Sequence, residues 1–429
     1  MQTHFTADQL ADPQIAEADA ILRNCVHCGF CTATCPTFVI TGDERDSPRG
    51  RIWMLREVLE SPETVSANTG YHIDRCLGCL SCKTTCPSGV NYPHLLDIGR
   101  AKLDKLVPRR FADKMMRRLL GMIIPYAGRF RMMIALARIG RLFSGAMPTA
   151  LRAALTKIPA ELKPFDRVGG HDAVFSPDKK PVKRVALLAG CAQRALDPEI
   201  NASTIRVLNR LGVEVVVRSE VHCCGALAHH IGETDRAHHT VRAAVLAWYD
   251  EMKSGGLDAI VVNASGCGTM VKDYGHMMKD DAELAGIAKA VSDKCVDISE
   301  LLDNLDVESI LQSAPAEGRG KVAYHSACSL QHGQKIHDLP LRLLRQAGFD
   351  VVQPLNGHLC CGSAGVYNIL QPEMADELKA RKLDSLDNTG AQFVAAGNIG
   401  CITQLNRKDL PVRHTVQFID WATGGPNPR

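Results

Sequence analysis

The sequence has little of what several classes of protein require. No run of about 18 apolar residues occurs, which argues against a membrane-spanning helix. Aromatic residues make up only 5% of the chain, and no nucleic-acid-binding module is present, so no nucleic-acid partner is expected. A G-x-G-x-x-G fingerprint and a P-loop are also missing. Any flavin or nicotinamide is therefore expected on a different polypeptide.

The cysteine content indicates metal ligation rather than disulfides. Residues 1–19 carry four acidic side chains and no basic or apolar segment of the kind that a secretory leader needs. The chain has 17 cysteines, and their spacing fits metal ligation in a reducing compartment, where thiols stay free. We therefore expect a cytoplasmic protein.

Two copies of the run C-x2-C-x2-C-x3-C-P dominate the N-terminal part. This spacing is that of bacterial ferredoxins, in which the first three cysteines bind one [4Fe–4S] cluster and the fourth binds the other. A zinc site is the alternative, but zinc prefers two C-x2-C pairs and four ligands. The runs predict two [4Fe–4S] clusters, one held by Cys25, Cys28, Cys31 and Cys86, and one held by Cys76, Cys79, Cys82 and Cys35.

A basic segment follows the cysteine runs. Between Arg100 and Lys157 the chain has fourteen Lys and Arg residues against two acids. Apolar residues recur at three- and four-residue steps from Met115 to Ile123, so residues 101–158 are predicted to form amphipathic helices. The charged face fits a solvated or intersubunit surface or, slightly less well, anionic lipid headgroups, which would place the protein on the inner face of the cell membrane. Proline and glycine make residues 159–183 a predicted linker.

The C-terminal half is an internal repeat with an offset of 137 residues between equivalent cysteines. In both units 31 residues separate a single cysteine from a Cys-Cys-Gly step. Alternating strands and helices predict parallel α/β layers, with cysteines at the carboxyl ends of strands. The predicted strands are Val185–Ala189, Val213–Val217 and Ala259–Asn263 in the first unit, and Val322–Tyr324 and Phe393–Gly397 in the second. We expect the units to pack about a pseudo-twofold axis, with their cysteines facing a shared cleft.

Each unit offers four thiols, which suit an iron–sulfur cluster or zinc. The alternative is that they pack as small buried side chains, but two sets in register favour a metal or redox role. The candidate ligands are Cys191, Cys223, Cys224 and Cys267 in the first unit, and Cys328, Cys360, Cys361 and Cys401 in the second.

Histidines gather near these thiols. A ligand or proton-relay role is open to them because imidazole titrates near neutrality, although hydrogen-bonded structural histidines are the favoured interpretation. They are His222, His229, His230, His325, His332 and His358. Cys295 lies outside both four-cysteine sets and is expected to be a buried thiol.

Taken together, these motifs resemble the bacterial glycolate oxidase iron–sulfur subunit family over nearly the whole chain. The likeness is weakest in the basic segment. It is carried by Cys25–Thr37, Ser47–Ile52, Thr85–Val90 and Leu95–Arg100 in the N-terminal part, and by Gly190–Gln193, Ala264–Gly268, His358–Gly365 and Asn398–Cys401 in the repeats.

The resemblance implies an electron-transfer subunit that takes electrons from flavin-binding dehydrogenase subunits oxidising glycolate, and passes them to membrane quinone. Related subunits serve lactate, glycerol-3-phosphate and heterodisulfide conversions. In the heterodisulfide branch a fifth cysteine ends each repeat, but Met270 and Gln404 stand at those positions. A thiol-disulfide reductase acting through the C-terminal cysteines is the rival hypothesis, and it requires accessible cysteines of lowered pKa.

The expected fold class is therefore α+β with several domains. A mainly helical ferredoxin-type domain (1–100) is followed by basic helices and a linker (101–183). Two pseudo-symmetric α/β cysteine-rich repeats complete the chain (184–304 and 305–429). The two [4Fe–4S] clusters are expected in the first domain, and one or two further iron–sulfur clusters can be held by the repeats.

Overall fold

The computed structural model describes residues 1–141, 163–164, 168–313, 315 and 318–428. Residues 1–141 form α-helices and short 3₁₀ turns, with no strand among them. The α-helices are Ala7–Leu10, Pro13–Arg23, Phe30–Ala33, Pro36–Thr41, Pro48–Glu60, Ala67–Asp74, Ser81–Thr85, Tyr92–Leu106, Phe111–Ile123 and Ala127–Arg141. The 3₁₀ turns are Glu44–Asp46 and Pro62–Thr64.

Local sequence explains where the helices around the cysteines begin. The Ser47 hydroxyl accepts the Gly50 N–H and Pro48 is the first residue of the next helix, a combination that favours helix initiation. Pro36 likewise begins the helix Pro36–Thr41, which leaves Cys35 extended at its N-cap. The second Cys-Pro step differs from the expectation that both prolines begin helices. Cys86 ends the helix Ser81–Thr85 and Pro87 lies in a turn.

The predicted basic helices are present as a pair, Phe111–Ile123 and Ala127–Arg141, and residues 142–158 lie outside the described part of the chain. Many of their apolar side chains are exposed. In the described residues no single helix is long and apolar enough to cross a membrane, although this pair, bent by 120°, passes that test by length and composition alone. The exposed apolar residues are Phe111, Met115, Met116, Leu119, Met122, Tyr126, Met132, Leu136 and Ile139.

Each repeat is built on its own sheet. The first has the order β1-β3-β2-β4-β5 and the second β7-β6-β8-β9. All pairs are parallel except β1 with β3. The strands are β1 Ala173–Phe175, β2 Lys183–Leu188, β3 Val213–Val217, β4 Ala259–Val262, β5 Cys295–Asp297, β6 Lys321–His325, β7 Asp350–Val352, β8 Phe393–Ala396 and β9 Val412–His414.

One segment departs from the sequence expectation. Residues 173–175, which their proline- and glycine-rich surroundings assign to a linker, form the edge strand β1. The segment pairs with β3 through backbone hydrogen bonds, while Val174 remains exposed, so its composition gives little sign of a strand. The short strands β5, β7 and β9 were also not predicted, because three residues carry too little hydrophobic pattern.

Helices connect the strands of both sheets. In the first repeat they are Ala192–Leu196, Glu199–Arg210, Ala226–His230, Thr234–Ser254, Ser265–Lys272, Tyr274–Met277, Ala285–Asp293 and Ile298–Asp303. In the second they are a π-helical turn Ser329–Gly333 and the α-helices Leu339–Gln346, Tyr367–Leu370, Pro372–Asp387, Ile399–Leu405 and Thr415–Ala422, after the 3₁₀ turn Glu308–Ile310.

The repeats pack with reciprocal contacts. Helix Glu199–Arg210 of the first repeat packs on Thr415–Ala422 of the second, and their equivalents Leu339–Gln346 and Ile298–Asp303 pack on each other. Arg210 adds an ion pair with Asp420 at 2.6 Å. One continuous apolar core includes residues of both repeats. This exchange of equivalent helices is what a pseudo-twofold axis produces.

Candidate iron–sulfur centres

The first cysteine loop, Cys25–Cys31, forms one wall of a cavity. Cys25, Cys28, Cys31 and Cys86 all line it, so the structure brings together the four cysteines assigned to one cluster. Cys82 lines the same cavity, although the spacing assigns it to the other cluster. Burial and the neighbouring Cys25 raise the pKa of Cys31 to about 11.

The second cysteine loop, Cys76–Cys82, repeats the backbone of the first. Positive φ angles occur at the third and fifth positions of both loops, at His27 and Gly29 in one and at Gly78 and Leu80 in the other. Each left-handed non-glycine residue costs about 1–2 kcal/mol, so both loops hold a strained conformation that brings three sulfurs to the same side.

The second cysteine set surrounds a buried cation. Arg51 is 1% exposed and forms an ion pair with Asp46, which His72 also contacts. Burial alone would lower the pKa of Arg51, but the negative charge of Cys76, Cys35 and Asp46 raises it. The Arg51 charge is therefore directed at the sulfurs of Cys35 and Cys76.

The thiol of Cys76 is prepared for the anionic state. Burial alone would raise its pKa, but Arg51 and Arg100 lower the pKa of Cys76 below the usual value. The Gly78 N–H and the Tyr92 hydroxyl donate to its Sγ, each at 3.5 Å. Such donors and charges are what set the potential of a bound cluster.

The two cysteine loops lie side by side. The pKa of Cys82 is raised by burial and then by the neighbouring thiolates of Cys76 and Cys35, with Cys31 of the first loop a smaller contributor. The hydroxyls of Thr34 and Thr85 meet at 3.1 Å between the loops. Electrons passing between two bound clusters would therefore cross a short distance inside the protein.

The thiols of each repeat also gather, each set within its own repeat. The Sγ atoms of Cys191 and Cys223 are 3.6 Å apart. Equivalent cysteines of the second repeat, Cys328 and Cys360, are 3.7 Å apart, and Cys361 lies 3.4 Å from Cys401. In the described part of the chain, sulfur contacts within 4 Å join cysteines of the same repeat, so the expected shared cleft is not formed by such contacts.

The Cys-Cys-Gly step needs its glycine in both repeats. Gly225 and Gly362 have φ angles of 84° and 85°, a region that other residues rarely adopt. A Cβ atom at Gly362 would lie 2.6 Å from the Ala375 carbonyl oxygen, whereas at Gly225 the nearest atom would be 3.3 Å away, on Val241. The glycine lets the cysteine pair approach the following helix.

Most of the predicted histidines have structural partners. His229 pairs with Asp97 at 3.1 Å, His332 with the Thr84 hydroxyl at 2.8 Å, and His222 stacks on Tyr126. Burial lowers the pKa of His230 to about 4. His358 is partly exposed, and only burial and Lys382 lower its pKa.

His325 is the exception among these histidines. Its ring nitrogen lies within 4.8 Å of the sulfurs of Cys361 and Cys401. Burial lowers the pKa of His325 to about 3, so the ring is neutral. Its place in the chain, three residues before Cys328 at the end of a strand, was the only sequence signal for this proximity.

The second cysteine loop rests on the second repeat. The Tyr367 hydroxyl donates to the Arg75 carbonyl at 2.9 Å, and Leu77 packs against Tyr367 and Met374. Burial raises the pKa of Cys79, and the thiolate of Cys328 is the next largest cause. The sulfurs of the second loop therefore share an electrostatic environment with the second repeat.

The first repeat contacts the N-terminal domain farther from the cysteines. His94 meets Asp273 at 3.1 Å and stacks on His276, and Asp97 meets His229. These partners lie on the helix Tyr92–Leu106 rather than on a cysteine loop.

Cys295 and the missing fifth cysteines are accounted for by packing. Cys295 is buried in β5, and burial raises its pKa to about 12, as expected for a structural thiol. Met270 and Gln404 are also buried, and Gln404 accepts a hydrogen bond from Asn368 at 3.0 Å.

The donor sets fit iron–sulfur clusters. Thiolate sulfur is the ligand that such clusters use, and the N-terminal sets add buried cations and N–H or O–H donors around it. The burial of these sulfurs excludes water, which protects a cluster and tunes its potential.

Comparisons with known proteins agree with this chemistry. The 4Fe-4S dicluster domain family matches residues 21–90, and the cysteine-rich domain family matches residues 185–272 and 322–406. The N-terminal domain is therefore a dicluster domain whose cofactors are two [4Fe–4S] clusters, and the repeats are cysteine-rich domains.

Related proteins match over different lengths. The glycolate oxidase iron-sulfur subunit of Escherichia coli is 40% identical over 98% of this chain and 99% of its own. The probable glycolate oxidase iron-sulfur subunit of Bacillus subtilis is 30% identical over 90% and 88%. Lactate utilization protein A of Bacillus pumilus is 28% identical over 54% of this chain and 95% of its own. A crystal structure of a hypothetical protein from Helicobacter pylori shares the fold, with a TM-score of 0.56 at 11% identity, covering 97% of this chain and 73% of that one.

Proposed function

The chain belongs to the glycolate oxidase iron–sulfur subunit family, and from that we propose that it carries electrons from flavin-binding dehydrogenase subunits toward membrane quinone. It is an oxidoreductase subunit, and substrate oxidation takes place on its partners. The thiolates of Cys25, Cys28, Cys31 and Cys86 hold one cluster and those of Cys35, Cys76, Cys79 and Cys82 the other. When bound, such clusters exchange single electrons with their neighbours.

The observation that carries this proposal is the line of sulfurs through the molecule. The first loop lies beside the second, and the second lies against the second repeat, where Cys79 and Cys360 raise each other's pKa after the effects of closer thiols and burial. A continuous series of buried thiolates is what an electron-transfer subunit needs.

Electrons enter at the first cysteine loop. Cys28 is exposed, and Val26 and Phe30 on either side of it are 67% and 63% exposed. Trp53 nearby is also exposed. Apolar side chains at the surface beside a cluster favour a protein partner, and the flavin-binding subunit is the partner that this position requires.

The basic helix pair attaches the complex to the membrane surface. Its exposed apolar side chains, among them Phe111, Met132 and Leu136, lie on helices that also carry unpaired basic residues such as Arg118. Apolar residues with Lys and Arg favour the interface of anionic lipid bilayers. The protein is accordingly peripheral on the cytoplasmic face of the membrane.

Glycolate is the substrate class that the relatives favour. The glycolate oxidase relatives match nearly the full chain, whereas the lactate utilization proteins match 53–55% of it. Lactate oxidation is the second candidate for the complex.

The test uses the chain copurified with its flavin-binding subunits. We expect glycolate to bleach the iron–sulfur absorbance and to reduce a quinone analogue, with lactate slower. Cys28→Ser should abolish both, and Cys295→Ser should leave both unchanged. Bleaching by neither acid, or full activity of Cys28→Ser, contradicts the proposal. Met132→Glu with Leu136→Glu should release the complex from anionic vesicles, and retained binding contradicts the membrane assignment.

A further inference from the structure

His325 is a buried imidazole without a hydrogen-bond partner. It is the last residue of β6 and is 1% exposed. Neither Nδ1 nor Nε2 meets a donor or acceptor in the described structure. A buried polar group left unsatisfied costs about 1–3 kcal/mol, so this arrangement calls for a ligand.

The nearest candidates for bonding are sulfurs. One ring nitrogen of His325 and the Sγ atoms of Cys361 and Cys401 all lie within 4.8 Å of one another. Cys360 and Cys328, 3.7 Å apart, complete the set because Cys360 precedes Cys361 in the chain. Imidazole and thiolates converging in one buried place are a metal-ligand set.

A buried cation accompanies these thiols. Lys382, on the helix Pro372–Asp387, is 3% exposed, and its Nζ donates to the Asn356 carbonyl at 3.0 Å. The thiolates of Cys361 and Cys360 are the largest charges acting on it. Buried charges are tolerated only when they are compensated, and an anionic metal–thiolate centre would compensate this ammonium group.

The first repeat lacks both the imidazole and the cation. His325 is the fourth residue of β6 paired with β8, and Leu188 is the fourth residue of β2 paired with β4. Leu188 is buried and apolar, as are Ala244 and Val245, which stand at the level of Lys382 on the corresponding helix. The nitrogen and the positive charge are therefore specific to the second repeat.

We propose that the second repeat holds an iron–sulfur cluster ligated by cysteines of the set Cys328, Cys360, Cys361 and Cys401 and by a ring nitrogen of His325. Lys382 is the buried counter-charge of this centre. Iron–sulfur chemistry is favoured over zinc because Cys79 of the second cysteine loop shares the electrostatic environment of Cys328. Replacing a thiolate by imidazole raises the potential of a cluster, which suits the end of the path nearer to the acceptor.

The test is pulsed EPR of the purified whole chain labelled with ¹⁵N-histidine, recorded across a redox titration with a chemical reductant. We expect a nitrogen coupled directly to one cluster, with the coupling altered by the isotope. His325→Cys should remove this coupling, lower the potential of that cluster, and leave the signals of the two N-terminal clusters in place as the folding control. His358→Ala, two residues before the cysteine pair, should retain the coupling.

Iron analysis supplies the second readout. The wild-type chain should contain more than the about eight irons of two [4Fe–4S] clusters, and His325→Ala should return to about eight. An absent nitrogen coupling, a coupling that persists in His325→Cys, or zinc in place of the additional iron overturns the proposal. Because a chemical reductant is used, these outcomes do not depend on which dehydrogenase the chain serves.

Discussion

The two repeats share a backbone but differ in what they contact. The second lies on the second cysteine loop through Tyr367 and Leu77, whereas the first lies on the helix Tyr92–Leu106 through His229 and His94. The strand end before the first cysteine is histidine in one and leucine in the other. Duplication of a fold therefore does not duplicate its chemistry, because position relative to the clusters and a few buried side chains decide it.

The largest expected difference comes from equivalent cysteines. Cys361→Ser should lower electron transfer from the reduced complex to a quinone analogue by roughly 100-fold or more, the upper end of what even outer-sphere changes cause at metal sites. Cys224→Ser, its counterpart in the first repeat, should retain most of the rate. The measurement is stopped-flow reoxidation of the clusters. Equal losses in the two variants would remove the functional distinction between the repeats.

Equivalent glycines should differ in stability. Gly362→Ala places a Cβ against the Ala375 carbonyl at a positive φ, so the left-handed cost and overpacking together should destabilise the chain by about 3 kcal/mol. Gly225→Ala has more room and should cost about 1–2 kcal/mol. Urea unfolding under anaerobic conditions compares them. A Gly225→Ala variant as unstable as Gly362→Ala would show that the closer contact does not matter.

The smallest effect is the pH dependence of the two attachments. Burial alone lowers the pKa of His229, but Asp97 raises it above the usual value. The stabilisation is therefore complete below the unfolded pKa of about 6.5 and is lost as pH rises through the higher folded value. Asp97→Asn should lower the free energy of unfolding by about 1 kcal/mol more at pH about 6 than at pH about 8.

The second repeat supplies the matched control for that experiment. Tyr367→Phe removes one hydrogen bond to a backbone carbonyl, so it should cost about 1 kcal/mol equally at both pH values. Thermal unfolding followed by circular dichroism measures both variants. A pH-independent effect of Asp97→Asn would mean that the His229 charge does not hold the first repeat in place.

Sequence alone predicted the parts of this molecule that depend on strict local patterns. The cysteine spacing anticipated which sulfurs lie together in the first cavity, and apolar runs located β3 exactly where Val213–Val217 form it. The offset of 137 residues anticipated the matching cysteine geometry of the repeats.

Tertiary contacts determined the rest. β1 could not be predicted, because only pairing with β3 makes Ala173–Phe175 a strand. His325 was grouped with other histidines, since nothing in its neighbours along the chain shows that both ring nitrogens lack partners. That the second loop lies on the second repeat follows from Tyr367, 292 residues distant from its partner Arg75 in the sequence.

The covering of the second cysteine loop has a consequence for biogenesis. Tyr367, Met374 and Leu378 pack over Leu77, and the Tyr367 hydroxyl holds the loop backbone. Iron and sulfide delivered by an assembly factor must reach Cys76 and Cys79 before this cover closes. We expect the N-terminal domain to be loaded as it leaves the ribosome, with docking of the second repeat as the step that seals the cofactor inside.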